Sequence, residues 1–477
     1  MIRTRFAPSP TGYMHIGNLR TALYEYLIAK HYDGKFILRI EDTDQNRQVE
    51  GSVEVIYNSL KAAGLRYDEG PDIGGEYGPY VQSLRKDIYL KYAKELIANG
   101  KAYYCFCGKE RLTELNEYEK YDRRCLRLTS EEIQTKLESN TPYVIRQLIP
   151  EGETRFTDQV FGEIIINNDE LDDQVLIKSD GMPTYNFANV IDDHLMEITH
   201  VIRGNEYLSS TPKYNLLYEA FGWPIPVYIH LPLILNSNGE KLSKRKGDAS
   251  FEDLISLGFL PEAVVNYIAL LGWSPPDNTE IFSLSGLVEA FDETRLNKSP
   301  SVFDIQKLTW MNGEYIKKID PAKFYEISLP ILKSSVKTPG IDLFDVSEMV
   351  QTRINFIHEI PPLVDFIDKL PDYKAELYTH KKMKTNGENS LVNLKQALRV
   401  LEGLEPWDLT HINDALAGLV LSMGIKNGQM LWPVRTAISG KPTSPCGAVE
   451  LCVLLGKDES LKRIKHGLVV LEEILTP

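Results

Sequence analysis

The first forty residues admit few folds. Thr4 to Ala7 run into a breaker cluster, Ser9-Pro10-Thr11-Gly12, and from about Gly17 the residues Leu19, Leu23, Tyr26 and Leu27 recur at i, i+4, i+7 and i+8, one face of a helix. Gly34 stops that helix, and Phe36-Ile37-Leu38 is a buried-strand run ending in Arg39-Ile40-Glu41-Asp42. Strand, helix and strand make a βαβ unit, which predicts a parallel sheet with its ligand crevice beyond the carboxyl ends of the strands. Functional residues are therefore expected in the loops that follow strands.

The chain has 477 residues, enough for about three domains. Hydrophobic residues make up 43% and charged residues 25%, the balance of a folded, water-soluble protein. Helices are predicted around Val53, Ile56, Leu60 and Ala63 and around Ile88, Tyr92, Leu96 and Ile97. Near residue 102 the chain shifts to a stretch rich in Cys and charge, which reads as an insertion. Strands are expected at Glu163 to Asn167 and Val175 to Lys178, and the main fold resumes by Tyr228 to Leu235. From about Pro321 onward, Val346 to Ile360, Leu391 to Leu404, Ile412 to Met423 and Gly447 to Leu475 carry helical spacing, so the last third reads as helical.

Lys plus Arg number 53 against 67 Asp plus Glu, a net charge of -14, which argues against non-specific binding of polyanions. A nucleic-acid partner must use a local patch. Met1 is followed by Arg3, Thr4 and Arg5 with no apolar leader, and no apolar run approaches the roughly 20 residues that cross a bilayer. Five cysteines in so long a chain fit a reducing compartment, and a cytoplasmic location without membrane contact is expected.

Two motifs carry chemistry. His15-Ile16-Gly17-Asn18 stands where the first strand turns into the first helix, and helix N-termini favour phosphate. Lys241-Leu242-Ser243-Lys244-Arg245-Lys246 follows a strand and a turn at Asn236 to Gly239, concentrating the positive charge that a triphosphate or leaving pyrophosphate needs. An isolated basic run is ordinarily a solvated loop; paired with His-x-Gly about 225 residues earlier it is far more specific. The first βα turn holds neither a Walker-type loop nor G-x-G-x-x-G, so kinases of that class and dinucleotide dehydrogenases fit poorly.

Arg5-Phe6-Ala7-Pro8-Ser9-Pro10-Thr11-Gly12 running into His15-Ile16-Gly17-Asn18, then Arg39-Ile40-Glu41-Asp42-Thr43-Asp44 and Lys241-Leu242-Ser243-Lys244-Arg245, resembles the bacterial glutamyl-tRNA synthetases, class I aminoacyl-tRNA synthetases, over essentially the whole chain. Asn18 and Arg245 depart from the generic class I signatures in a way familiar within that family. The resemblance implies a Rossmann-like α/β catalytic region over 1–320, with an inserted acceptor-stem-binding α/β segment at about 80–200. It implies a helical anticodon-binding region over 321–477, with subdomains at about 321–380 and 381–477.

It further implies attack of the glutamate α-carboxylate on the α-phosphorus of ATP, then transfer to the 3' end of tRNA(Glu). A carboxylate is already a nucleophile, so the reaction needs positioning and charge neutralisation rather than a general base. His15, Lys241 and Lys244 take the catalytic role, with magnesium on the ATP. His15, Gly17, Glu206, Lys241, Ser243 and Lys244 form the ATP site. Selection of glutamate requires donors for two carboxylates and a partner for one ammonium. Arg5 and Arg203 supply the forks, Glu41 the anion, and Ala7, Ser9, Tyr185 and Asn189 complete the glutamate site, with Tyr207 at the rim.

Cys105-x-Cys107 and Tyr121-x-x-x-Cys125 have spacing suited to a structural zinc ion, with Tyr121 carried over from the resemblance as fourth ligand because Arg127 stands where a His is common. Arg353 aligns with an arginine that reads the third anticodon base, a role suited to a two-pronged donor. A monomer is expected. A glutaminyl-tRNA synthetase would carry β-barrels in the last third; an idle tRNA-binding paralogue would not need His15, Lys241 and Lys244; a shortened relative that modifies a tRNA base would end near residue 300.

Overall fold

A computed structural model describes residues 1–108, 111, 121–242 and 250–475. The chain divides into two compact units, Met1–Leu308 and Thr309–Pro477. The division falls inside a helix, Ile305–Lys318, whereas the sequence pattern marks Asp320-Pro321, the cap and first residue of the next helix.

The first unit begins with β1 (Arg3–Phe6), α1 (Ile16–His31) and β2 (Lys35–Leu38), β1 and β2 pairing in parallel with Arg5 opposite Ile37. Gly34 serves close approach, since a Cβ there would stand 2.2 Å from the carbonyl oxygen of Ile2. The predicted single apolar face of α1 is an underestimate. Leu19, Leu23 and Leu27 are buried, but so are Tyr24 and the charged Arg20 and Glu25.

Then follow α2 (Ser52–Ala62), α3 (Lys86–Ala98), β3 (Ala102–Cys105), α4 (Ser130–Glu138), β4 (Val144–Gln147), β5 (Glu153–Asp158), β6 (Gly162–Asn167), β7 (Val175–Ile177) and α5 (Tyr185–Leu195). After these come β8 (His200–Gly204), α6 (Thr211–Phe221), β9 (Val227–Leu231) and β10 (Ile234–Leu235). A four-stranded sheet has the order β6-β5-β9-β8, parallel except for the β5–β6 hairpin. The Thr199 N–H donates to the Arg3 carbonyl at 3.0 Å, setting β1 beside β8. The segment at about 80–200 therefore has two fates. β3, β4 and β7 form a separate antiparallel sheet, and α3, α5 and α6 share a core with it through Leu96, Ile145, Leu176 and Phe187, while the β5–β6 hairpin joins the main sheet.

The second unit is helical, with no strand among its described residues. The helix expected over Val346 to Ile360 is instead broken: Leu343–Gln351, then a loop, then Ile360–Val364. The break has a clear cause. The Glu359 carboxylate accepts the N–H groups of Asn355 and Phe356 at 2.7 and 3.4 Å, Asn312 Nδ2 donates to the Asn355 carbonyl, and Pro361 and Pro362 follow. The helices at Gly387–Glu402, Leu409–Met423 and Ala448–Leu475 match the pattern, the last one kinked at Gly456. Pro321–Ser335 and Asn427–Ser439 carry no clean period, each holding an internal proline, Pro330 and Pro433. No described helix is long and apolar enough to cross a membrane.

Candidate active site

The carboxyl ends of β1, β8 and β9 open into a cavity of about 840 Å³, lined by Arg5, Ala7, Ser9, His15, Gly17, Tyr185, Arg203, Glu206, Tyr207 and Lys241 among others. The loop after β1 is pinned to the chain after β2. Arg39 N–H donates to Phe6 O at 2.9 Å, Glu41 N–H to Pro8 O at 3.0 Å, and Val49 N–H to Pro10 O at 3.1 Å. These bonds hold Ala7 and Ser9 where the cavity begins.

His15 caps α1, its Nδ1 accepting the Gly17 N–H at 3.1 Å. That acceptance leaves the ring proton on Nε2, a donor held at a helix N-terminus. A Cβ on residue 17 would come within 3.3 Å of the same Nδ1, so glycine keeps the cap undisturbed. Across the cavity, Leu235 bridges Lys241 around the turn at Asn236 to Gly239, and Leu242 N–H bonds Ile234 O at 2.9 Å. Lys241 stands out, its side chain 59% exposed and its Nζ 3.9 Å from Glu206 Oε1. Ser243, Lys244 and Arg245 lie outside the described residues.

At the other end, Arg203 is set by residues the motifs did not flag. Its Nε donates to His230 Nε2 at 3.0 Å and its Nη2 to Thr211 Oγ1 at 2.8 Å. His230 Nδ1 faces Asp158 Oδ2 at 2.7 Å, and burial lowers the imidazole's pKa although Asp158 opposes it. A neutral ring donating to Asp158 and accepting from Arg203 satisfies all three. The guanidinium also lies over the rings of Tyr207, Tyr214 and Tyr228, 4.7 to 5.4 Å from their centroids, and its Nη1 makes no hydrogen bond to described residues. Tyr185 packs against Tyr207 with ring centroids 5.6 Å apart.

Arg5 is more occupied than an outward clamp would be. Its Nε and Nη2 donate to Asp193 at 3.0 and 3.4 Å, and its Nη1 to Glu25 at 3.3 Å and the Ile202 carbonyl at 3.4 Å. Beneath it lies a sealed charge network. Arg39 reaches Glu41 and Asp193, each at 2.8 Å, while Asp192 takes Arg85 at 2.7 Å, Tyr89 at 2.8 Å and Gln82 at 2.9 Å. Arg5 and Arg39 hold Asp193 below the ordinary carboxylate range against the effect of burial, whereas burial pushes Glu41 up to about 7 despite Arg39 and Arg5. Glu41 and Asn189 sit behind the cavity lining, buried, with Glu41 Oε2 and Asn189 Nδ2 unpartnered. Each is a polar atom in reserve, since unpaired buried polar atoms are costly and mark sites.

The three cysteines converge. The sulfurs of Cys105, Cys107 and Cys125 lie within 4.8 Å of one another, with Cys107 and Cys125 at 3.5 Å, and the Tyr121 hydroxyl is 3.1 Å from Cys105 and 3.3 Å from Cys107. A tetrahedral ion with metal–sulfur bonds of about 2.3 Å has sulfur–sulfur edges of about 3.8 Å, so the set fits zinc. Burial would raise the Cys105 thiol's pKa, but Tyr121 and Arg146 bring it below the usual value. Asp173 pins the turn that carries Tyr121 and Cys125, taking Arg123 Nη2 at 2.8 Å and the Tyr103 hydroxyl at 2.8 Å. Arg127 is exposed. In the second unit, Arg353 is also exposed, in the turn after Leu343–Gln351 rather than on a helix, and its Nε donates to Pro445 O at 3.2 Å.

Residues 1–310 match the family of class I tRNA synthetases (E and Q), catalytic domain, and residues 300–468 match an anticodon binding domain. The chain is 58% identical over 480 residues to a glutamate–tRNA ligase of Clostridium acetobutylicum, covering 99% of both chains. It is 60% identical over 478 residues to one of Lachnoclostridium phytofermentans, covering 97% of both. Among solved structures, a glutamate tRNA ligase of Elizabethkingia meningosepticum in complex with its amino acid superposes with a TM-score of 0.85 at 35% identity, covering 98% of this chain and 99% of that one.

Proposed function

The chain belongs to the class I tRNA synthetases of the E and Q kind, and on that premise we propose that it is a glutamate–tRNA ligase, activating L-glutamate with ATP and transferring it to the 3' end of tRNA(Glu). The observation that carries this reading is that one cavity joins an end suited to phosphate, with His15 and Lys241, to an arginine-lined end, with Arg5 and Arg203. Full-length relatives that are glutamate–tRNA ligases support it.

At the phosphate end, the His15 Nε2–H and the N-terminus of α1 face the triphosphate, and Gly17 lets it approach. Lys241, joined by Ser243 and Lys244 that follow it in the sequence, neutralises charge on the α-phosphate and the departing pyrophosphate; magnesium travels with ATP. Glu206 orients Lys241 and the nucleotide. At the other end, Arg203 and Arg5 hold the substrate carboxylates, Glu41 the ammonium, and Ala7, Ser9, Tyr185 and Asn189 add neutral contacts. No proton needs to leave the attacking carboxylate, so alignment and charge supply the rate. In step two the ribose hydroxyl of the tRNA end attacks the glutamyl carbonyl of the mixed anhydride, and the bond to the phosphate breaks with release of AMP.

Cys105, Cys107, Cys125 and Tyr121 hold a zinc ion that staples the knuckle and takes no part in the chemistry. Arg353 contacts the anticodon. The protein acts as a cytoplasmic monomer. The all-helical second unit speaks against the glutaminyl reading, whose last third would be β-barrels.

The test is aminoacylation with labelled glutamate and, separately, glutamine, on tRNA(Glu) and tRNA(Gln). Glutamate on tRNA(Glu) alone is expected, in line with Arg353 as a reader; charging of both tRNAs makes the enzyme dual-specific; no charging sinks the reading.

A further inference from the structure

Glu25 has no part in the motifs, yet its α1 turn carries it, fully buried, to the floor of the amino-acid end of the cavity. Its Oε1 accepts from Arg5 Nη1 at 3.3 Å, and its Oε2 has no partner. Asp193, the other acid on Arg5, is held much more firmly, by two Arg5 donors and by Arg39 at 2.8 Å. If both acids were ionised, two negative charges would flank the single positive charge of Arg5, and the cluster would repel a substrate carboxylate.

Resting on the glutamate reading, we propose that Glu25 is a positioning residue for amino-acid recognition: it holds Arg5 from below as an uncharged carboxyl group, so that one counter-ion, Asp193, leaves the guanidinium's attraction available to a carboxylate of the substrate. The charged groups facing Glu25 are Arg5 from β1, Arg39 from the end of β2, and Asp193 from α5; Glu41 lies across Arg39, and Arg20 on its own helix points to the carbonyl of Leu271. Burial raises the Glu25 pKa well above its ordinary value against the pull of Arg5, consistent with this assignment. The division of labour makes the site selective for an anionic side chain: a charged Glu25 would favour a neutral one.

The experiment compares unaltered full-length enzyme with Glu25→Gln and Glu25→Leu, measuring KM for glutamate and kcat in tRNA charging from about pH 6.5 to about pH 9. Glutamine copies the uncharged acid. Its KM is expected within about twofold of the parent across the range. Comparison with the parent at each pH cancels titration of Glu41 and of the substrate ammonium. Glu25→Leu drops the hold on Arg5, and its KM should rise by about tenfold at every pH with kcat changed far less. A Glu25→Gln enzyme with the same KM increase as Glu25→Leu overturns the proposal, as does a Glu25→Leu enzyme whose KM is unchanged. Unaltered enzyme that charges no glutamate at any pH overturns the functional reading instead.

Discussion

The floor of the cavity after β1 and the cysteine knuckle are both buried polar clusters, built in opposite ways. Under the cavity, Arg5, Arg39 and Arg85 are met by Asp192 and Asp193 from a distant helix and by Glu41 from the same loop as Arg39, so the protein supplies both signs of charge itself. The knuckle gathers three thiols and a phenol, with Arg111 and Arg146 at its edge, into a set that could hold an ion from outside. A self-neutralised network is rigid before any ligand arrives, which suits preorganised recognition. A thiol cluster becomes rigid only on binding its ion, which suits a staple.

Four changes press on that contrast. Asp193→Ala strips the shared counter-ion from Arg5 and Arg39, and breaking a buried pair from one side costs about 3–5 kcal/mol. Urea unfolding should show this, with charging lost as well; an unchanged midpoint would mean that the network is not what holds the floor. His15→Ala removes a donor at the rim, outside the network. It should lower kcat by roughly 10²–10³ while reducing the unfolding free energy only by the about 0.5–2 kcal/mol of a lost helix cap. A loss of stability comparable to that of Asp193→Ala would erase the distinction between rim and floor.

At the knuckle, metal analysis of the purified protein should find about one zinc per chain, and Cys107→Ser should lower that occupancy and loosen hydrogen exchange across β3 and β4, with charging reduced less than by His15→Ala. Metal-free protein with unchanged exchange would make the cysteines ordinary packing. The smallest effect concerns pH. Because the folded Glu41 pKa, about 7, lies above its unfolded value, Glu41 favours the fold fully below pH 4 or so, and this contribution is lost as pH rises through 7. Melting temperature should thus fall by a few degrees between about pH 5 and about pH 8, and Glu41→Gln should flatten the slope. An equal slope in both proteins would place the titration elsewhere.

The comparison also marks how far the linear chain could be read. His15, Gly17 and Lys241 were legible because helix starts and basic turns after strands have local signatures, and the structure brings them to one cavity with Arg5, Tyr185 and Arg203. The cysteines were legible by spacing alone. Asp158, His230, Thr211, Asp193 and Glu25 were not: each lies in an ordinary strand or helix, and their roles arise from partners such as Asp193, 188 residues from Arg5. No local pattern records such a pairing. Similarly, the spacing at Val346 to Ile360 promised one helix, and a side-chain carboxylate from within the segment broke it.

What the chain determined by itself was local: the βαβ opening, the helical last third, the helix-capping histidine, the basic turn and the thiol set, each following from periodicity, backbone conformation or short-range spacing. What only the tertiary structure decided was which charges meet. Arg5 could have pointed both prongs at a ligand; in the folded protein its donors are divided between Asp193 and Glu25. Burial makes every unpaired charge expensive, and so the fold settles ionisation states and hydrogen-bond assignments that no sequence window contains.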